Sequence, residues 1–203
     1  MPLKPPFPSA QPSRNATASN RVRIIGGQWR SRVLTFPTAI GLRPSGSRVR
    51  ETLFNWLGQT LHGQTCLDVF AGSGALGFEA ASRGAKSVSM IESNPTVFVA
   101  LQHNCTQLAA TNCTLLRGEA SLNLNKLKNQ NAQFDVVFVD PPFASNLLEP
   151  TLAALPDMLN AYARVYVEWA SALPTQLVDE SGLWKIEKSS NAGAVHFALL
   201  SLK

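Results

Sequence analysis

Leu67-Asp68-Val69-Phe70-Ala71-Gly72-Ser73-Gly74-Ala75-Leu76-Gly77 is the stretch on which the fold turns. An apolar run beginning near Thr65 ends on a carboxylate, breaks into glycines and resumes as small and apolar residues. It reads as a strand at about 65–70, a tight loop and a helix at about 75–83. The alternation continues outward. Further strands are expected at about 86–91, 112–116, 134–139 and 164–168, separated by helices at about 95–109, 120–129 and 147–155. Two last strands are expected near 184–188 and 195–202. Repeated βα units predict an α/β fold, a mostly parallel sheet with helices on both faces. Ahead of it, residues 21–46 read as a basic hairpin extension, with a Gly26-Gly27 turn and a second strand around Arg32–Phe36. Ser47 is expected to cap a helix whose apolar face carries Val49, Leu53, Trp56, Leu57 and Leu61, with Gly58 as its weak point. The main domain then spans 47–203.

Ligands on such sheets bind at the carboxyl ends of the strands, near the point where strand order reverses. Three candidates fall at such ends: Asp68–Gly74, Glu92 and Asp140–Phe143. Gly72-x-Gly74-x-x-Gly77 allows a tight turn, a close backbone approach to a ligand and a helix lying against the sheet. Glu92, with Ser93 beside it, follows about twenty residues later, where a carboxylate can accept both hydroxyls of a ribose. Alone, this pattern fits NAD, FAD or S-adenosylmethionine. Asp68 discriminates, because a carboxylate beside a helix N-terminus repels a pyrophosphate but attracts an ammonium or sulfonium. Its other reading is a carboxylate that caps the loop. Glu119-Ala120 follows the third strand, where Glu119 either accepts from an adenine amine or serves the helix dipole.

Asp140-Pro141-Pro142-Phe143 leaves the buried run Phe134–Val139 as a rigid notch lined with acceptors and closed by a flat ring. An exocyclic base amine is a weak nucleophile, so methylating it needs aim and acceptors for its hydrogens. Asp140 can accept one N–H and the Pro141 carbonyl the other. Pro142 restricts Pro141 and so holds that carbonyl. Phe143 can stack on the base.

Composition sets the frame. With 203 residues and 45% hydrophobic content, the chain can bury one ordinary core. Its apolar runs are too short to span a bilayer. Cys66, Cys105 and Cys113 form no C-x-x-C pair, and His62, His103 and His196 have no ligand spacing, so neither a disulfide framework nor a metal site is expected. The net charge of +5 is uneven: residues 1–50 hold nine Lys/Arg and no acid, while the rest carries 9 basic and 13 acidic groups. Such an end suits a polyanion, with Arg21, Arg23, Arg30, Arg32, Arg43 and Arg48 as RNA-binding candidates; a solvated basic tail is the plain alternative. Residues 1–20, rich in Pro, Ser and Asn, read as a disordered tail. They lack the apolar core of a secretory signal, and their prolines oppose the amphipathic helix of a transit peptide.

With these residues in view, the chain resembles the RsmD-type bacterial 16S rRNA guanine-N2 methyltransferases. Asp140-Pro141-Pro142-Phe143 is similar to the [Asp/Asn/Ser]-Pro-Pro-[Tyr/Phe/Trp] motif of enzymes methylating adenine N6, guanine N2 or glutamine N5. Arg23–Arg30, Gly41–Pro44, Arg48–Leu57, Leu67-Asp68 and Phe70–Gly77 carry the rest of the likeness, over about 22–203. The resemblance implies a Rossmann-like class I methyltransferase, with a seven-stranded, mostly parallel sheet whose last strand is reversed. It implies S-adenosylmethionine as donor and S-adenosylhomocysteine as product. The implied substrate is one guanine of 16S rRNA, guanine 966, in an assembled or partly assembled 30S subunit. A cytoplasmic monomer without membrane contact is expected. Position by position, the donor falls to Asp68, Phe70, Ala71, Gly72, Ser73, Gly74, Glu92, Ser93, Glu119 and Ala120, and the target base to Asp140, Pro141, Pro142 and Phe143. Arg43 and Arg48 would lie by the cleft, as phosphate contacts or in a surface ion pair with Glu51. The rivals are an adenine-N6 methyltransferase using the same notch, an NAD-dependent oxidoreductase, and an inactive RNA-binding protein on the same fold.

Overall fold

The computed structural model describes residues 19–39, 46–142, 145–170 and 182–203. The expected tail up to residue 18, Arg43 and Phe143 lie outside the described residues. Two strands, β1 (Ser19–Arg23) and β2 (Val33–Pro37), pair antiparallel as a hairpin. Helix α1 (Ser47–Trp56) leads into β3 (Thr65–Asp68), α2 (Ala75–Ser82), β4 (Ser87–Glu92), α3 (Pro95–Leu108), β5 (Cys113–Arg117), α4 (Ala120–Asn129), β6 (Phe134–Val139) and α5 (Leu148–Ala154). Then come β7 (Leu159–Trp169), β8 (Trp184–Ala192) and β9 (Val195–Leu202). The seven strands of the main sheet lie in the order β5-β4-β3-β6-β7-β9-β8. All neighbours pair parallel except β9, which runs antiparallel to both β7 and β8. Order reverses between β3 and β6, so their carboxyl ends flank the crevice where such sheets take ligands.

The central strands are apolar throughout because both faces are covered. Cys66, Val136, Phe138 and Tyr166 point into one cluster with α1, α2, α3 and the hairpin, while Leu67, Val137, Val139 and Val167 point into the other with α4 and α5. Burying a side chain of this size stabilises by about 1.5–3 kcal/mol. Helix α2 is buried at every residue, so its small Ala and Gly positions are what let it sit close to the sheet.

The hairpin is clamped to the C-terminal end of α2. Ser82 Oγ accepts the Trp29 N–H at 2.9 Å and donates to the Gly26 carbonyl at 2.6 Å, and the Ser82 carbonyl accepts the Gln28 N–H at 2.8 Å. Gly27 has φ +72°, and a Cβ there would stand 1.9 Å from the Ser82 carbonyl oxygen, so only glycine fits. On the other side, Asn104 of α3 reads the β2 backbone like an added strand: its Oδ1 takes the Thr35 N–H and its Nδ2 donates to the Thr35 carbonyl. A buried carboxylate completes the joint. Glu79 receives Arg83 Nε at 2.8 Å, Arg50 Nη1 at 3.3 Å and the Ile25 N–H at 2.9 Å. Arg50 also donates to the Arg23 carbonyl at 3.0 Å.

Several boundaries depart from the sequence reading. Strand β1 begins at Ser19, two residues inside the tail expected over 1–20, because Ser19 and Asn20 pair with Pro37 and Phe36. Ser47 is the first helical residue rather than the cap, and Gly46 holds the cap position without a side-chain bond. Gly58 lies past the end of α1 with φ +88°, so it stops the helix instead of weakening it. Strand β7 begins at Leu159, five residues early, because residues between the Phe134↔Leu159 and Val136↔Arg164 pairs bulge out. Tyr162 in that bulge has φ +66° and is 97% exposed, and Asp135 ties the bulge down through Asn160 Nδ2 at 2.8 Å. Strand β8 runs on to Ala192 through residues polar on both faces, as an edge strand can.

Removing the buried carboxylate would strand two guanidinium groups. Glu79→Ala is expected to lower unfolding stability by about 3–5 kcal/mol, read as a drop in the urea midpoint. An unchanged midpoint would show that the joint contributes nothing.

Candidate active site

Strand β3 delivers Asp68 to the crevice fully buried. Its Oδ2 accepts the Gly77 N–H at 3.0 Å, while Oδ1 is buried with no hydrogen-bond partner among the described residues. Burial pushes the Asp68 carboxyl up to about 7, against the pull of the Gly77 N–H; the Glu92 charge raises it further and the Phe70 N–H lowers it. Gly77 is needed for this approach, since a Cβ would meet Met90 Sδ at 2.4 Å and Asp68 Oδ2 at 3.2 Å. Gly74 caps α2 with φ +78°, and its N–H reaches the Ala71 carbonyl at 2.7 Å.

The carboxylate of Glu92, at the end of β4, grips the same loop. Its Oε2 accepts the Gly72 N–H at 2.9 Å and its Oε1 the Asn94 N–H at 2.6 Å. Burial raises its pKa; the Asn94, Gly72 and Ser93 N–H groups oppose that, and Glu119 adds to it. A carboxylate offers about four acceptor sites, so these N–H groups do not exhaust Glu92. Asn94 caps α3, with its Oδ1 accepting from the Thr96 and Val97 N–H groups and Pro95 at the first helical position. Glu119 occupies the cap position of α4 but makes no capping bond with its side chain.

These parts enclose a cleft of about 500 Å³. Asp68, Phe70, Ala71, Gly72, Ser73, Glu92, Ser93, Glu119 and Ala120 line it, and Asp140, Pro141 and Pro142 line it too. Gly74 does not, in contrast to the sequence reading. It faces the core, where a Cβ would strike Phe78 and Leu101 within 2.5–2.7 Å. Its glycine serves the turn and the packing. Beyond Val139, Pro141 is buried and Pro142 exposed. The Pro142 carbonyl accepts both the Ser145 N–H at 2.9 Å and Ser145 Oγ at 2.6 Å, which pins the turn.

Among the wall residues that the sequence reading did not name, one is acidic. Glu168, near the end of β7, is 3% exposed and lines the cleft. Tyr166 Oη donates to its Oε1 at 2.7 Å. The signal was present, since an acid closes the fifth apolar run just as Asp68 closes the first.

The arginines divide. Arg48 is exposed at the start of α1, beside the cleft residues Gly46 and Val49. Arg21, Arg23, Arg30 and Arg32 are exposed along the hairpin. The hairpin turn docks at Ser82, whereas the cleft opens at Ala75, the other end of α2 and roughly 12 Å away. Arg23 and Arg32 also serve the fold, donating to the Ser31 and Gln107 carbonyls. No ion pair between Arg48 and Glu51 occurs among the described residues.

A sheet of this order, reversed at β9 and carrying a glycine loop between a strand and a buried helix, defines a Rossmann-like class I methyltransferase fold. The precorrin-6y C5,15-methyltransferase of Geobacter metallireducens shares that fold at 20% identity with a TM-score of 0.64. Residues 22–201 match the model of the family described as conserved hypothetical protein 95. The ribosomal RNA small subunit methyltransferase D of Escherichia coli strain K12 is 42% identical over 91% of this chain and 92% of its own. That of Haemophilus influenzae is 42% identical over 90% and 94%. A solved Escherichia coli structure, described as a candidate methyltransferase, covers 91% of this chain and 99% of its own at 41% identity, with a TM-score of 0.77. The chain belongs to this family, the RsmD-type methyltransferases.

A carboxyl raised from 3.8 to about 7 imposes a sign on stability. Between those values the folded state holds a proton that the unfolded state has released, so stability falls as pH rises through this window and levels off above it. Asp68→Asn is expected to flatten that loss, and melting temperatures of both proteins at pH 4, 5.5, 7 and 8 test it. Parallel curves would mean that Asp68 titrates normally.

Proposed function

We propose that this protein transfers a methyl group from S-adenosylmethionine to the exocyclic N2 amine of a guanine in 16S rRNA, with guanine 966 as the expected position. The substrate is the small subunit during or after assembly, met in the cytoplasm by a monomer. One observation carries the reading: Asp68 and Glu92 share a single cleft with Asp140-Pro141. Curated relatives named for small-subunit rRNA methylation align over nine-tenths of the chain and supply the substrate class.

The residues present fit the donor. An unpartnered buried oxygen on Asp68 is costly unless a ligand supplies a donor, and an ammonium group does so. Glu92 has acceptor capacity left for a ribose hydroxyl, and Glu119 and Ala120, which line the same cleft, receive the adenine. When bound, S-adenosylmethionine supplies an electrophilic methyl group on a sulfonium. Asp140 accepts one hydrogen of the target amine, favours the positive charge that develops on its nitrogen and is placed to take the released proton. The Pro141 carbonyl accepts the other hydrogen, and Phe143 covers the ring. A guanine stacked in a helix is out of reach of this notch, so the base must be unstacked or flipped into it. Arg48 at the rim and the hairpin arginines contact phosphates.

Asp140→Ala is expected to abolish transfer to undermethylated 30S subunits while calorimetric donor affinity stays within about twofold, since Asp140 serves the amine. Equal loss of donor affinity would refute that division. Arg21→Ala with Arg30→Ala spares the two arginines tied to backbone carbonyls. It should flatten the dependence of log binding constant on log salt by about one unit for each phosphate no longer neutralised. An unchanged slope would remove the hairpin from the RNA interface.

A further inference from the structure

Two carboxylates, not one, stand at the target-base end of the cleft. Phe138 of β6 pairs with Tyr166 of β7, and Val139 with Val167. Asp140 follows directly on the end of β6 and Glu168 lies in β7, each two residues after that first pair, so the register brings both to the same edge of the sheet. Their backbones stand about one strand spacing, ~5 Å, apart. Both line the cleft. The Tyr166 hydroxyl donates to Glu168, and its pKa is raised first by burial, then by the Glu168 carboxylate and, more weakly, by the Asp140 charge.

Glu168 is also held in place. Its partner Tyr166 is itself fully buried, packed edge-on against Phe138 at 6.5 Å and against Phe197 at 6.2 Å.

We infer that Glu168 is the specificity-determining acceptor for the ring N1–H of the target guanine, beside the N2 amine that Asp140 receives. This deepens the guanine-N2 reading and rests on it. Guanine presents two adjacent donors on this edge, N1–H and N2–H. Adenine presents its amine beside a bare N1 lone pair, and cytosine its amine beside a bare N3. A wall of two carboxylates matches the donor–donor pattern and sets a lone pair against a carboxylate for the other two bases. A carboxylate on N1–H also draws that hydrogen outward and leaves more electron density for the exocyclic nitrogen, whose weak nucleophilicity is the obstacle. Tyr166 is then a positioning residue that fixes the Glu168 rotamer.

The test uses small subunits reconstituted with 16S rRNA carrying guanine, 2-aminopurine or adenine at the target position. 2-Aminopurine keeps the amine but has an unprotonated N1. The wild-type protein is expected to methylate it about a hundredfold more slowly than guanine in kcat/KM and to bind those subunits more weakly; equal rates on the two bases overturn the inference without any variant. Glu168→Gln, whose amide can accept from guanine or donate to 2-aminopurine, is expected to bring the ratio to within about tenfold. A variant that loses both activities by the same factor would give Glu168 a purely structural role and overturn the assignment. Faster transfer to adenine than to guanine, or no transfer to guanine by the wild type, would sink the guanine-N2 reading and this inference with it.

Discussion

The Gly77 N–H bonded to Asp68 Oδ2 at 3.0 Å is the contact from which the rest of the structure is set. It exists because position 77 has no side chain, which lets α2 settle onto Met90 of β4. That one approach fixes the helix axis. The axis places Glu79 where two arginines and the Ile25 N–H can converge, and Ser82 where the hairpin backbone can dock. The same bond turns one oxygen of Asp68 to the helix and leaves the other buried without a hydrogen-bond partner among the described residues. Packing and chemistry are thus joined through a single peptide group.

The acidic character of the cleft sorts what can enter it. Asp68, Glu92, Glu119, Asp140 and Glu168 all line the cavity of a protein whose formal charge is +5. Phosphates are repelled from such an interior and drawn to the arginines outside it. The hairpin turn and the cleft stand at opposite ends of α2.

Legibility in the sequence followed burial. Strand β6 has the boundaries read from the chain, Phe134–Val139, because burial on both faces leaves a continuous apolar signal. Strands β7 and β8 were read short, because the bulge at Asn160–Ala163 and the polar run Glu187–Asn191 carry no alternation to read. Within the site, residues at strand ends were recovered because strand order gives them a common edge. Glu168 escaped because the acid that closes the fifth apolar run lies in no motif, and its neighbourhood to Asp140 emerges only from the strand register. The packing role of Gly74 was not legible, because a glycine-rich pattern does not show which of its glycines lies against a core side chain such as Phe78. The Gly26-Gly27-Gln28-Trp29 block, counted with the basic RNA-facing end, proves to be the mould of a joint with Ser82.

The tyrosine behind the two carboxylates belongs to both worlds. Its ring is one tile in an aromatic row running from Phe54 through Phe138 to Phe197 and Trp56, and its oxygen reaches the cleft wall. A change of volume anywhere along that row would tilt the tile and swing the carboxylate it steers. Natural variation in this part of the hydrophobic interior is therefore not neutral filler: two homologues with identical surface motifs could diverge in fidelity toward their nucleotide through a phenylalanine that never meets RNA.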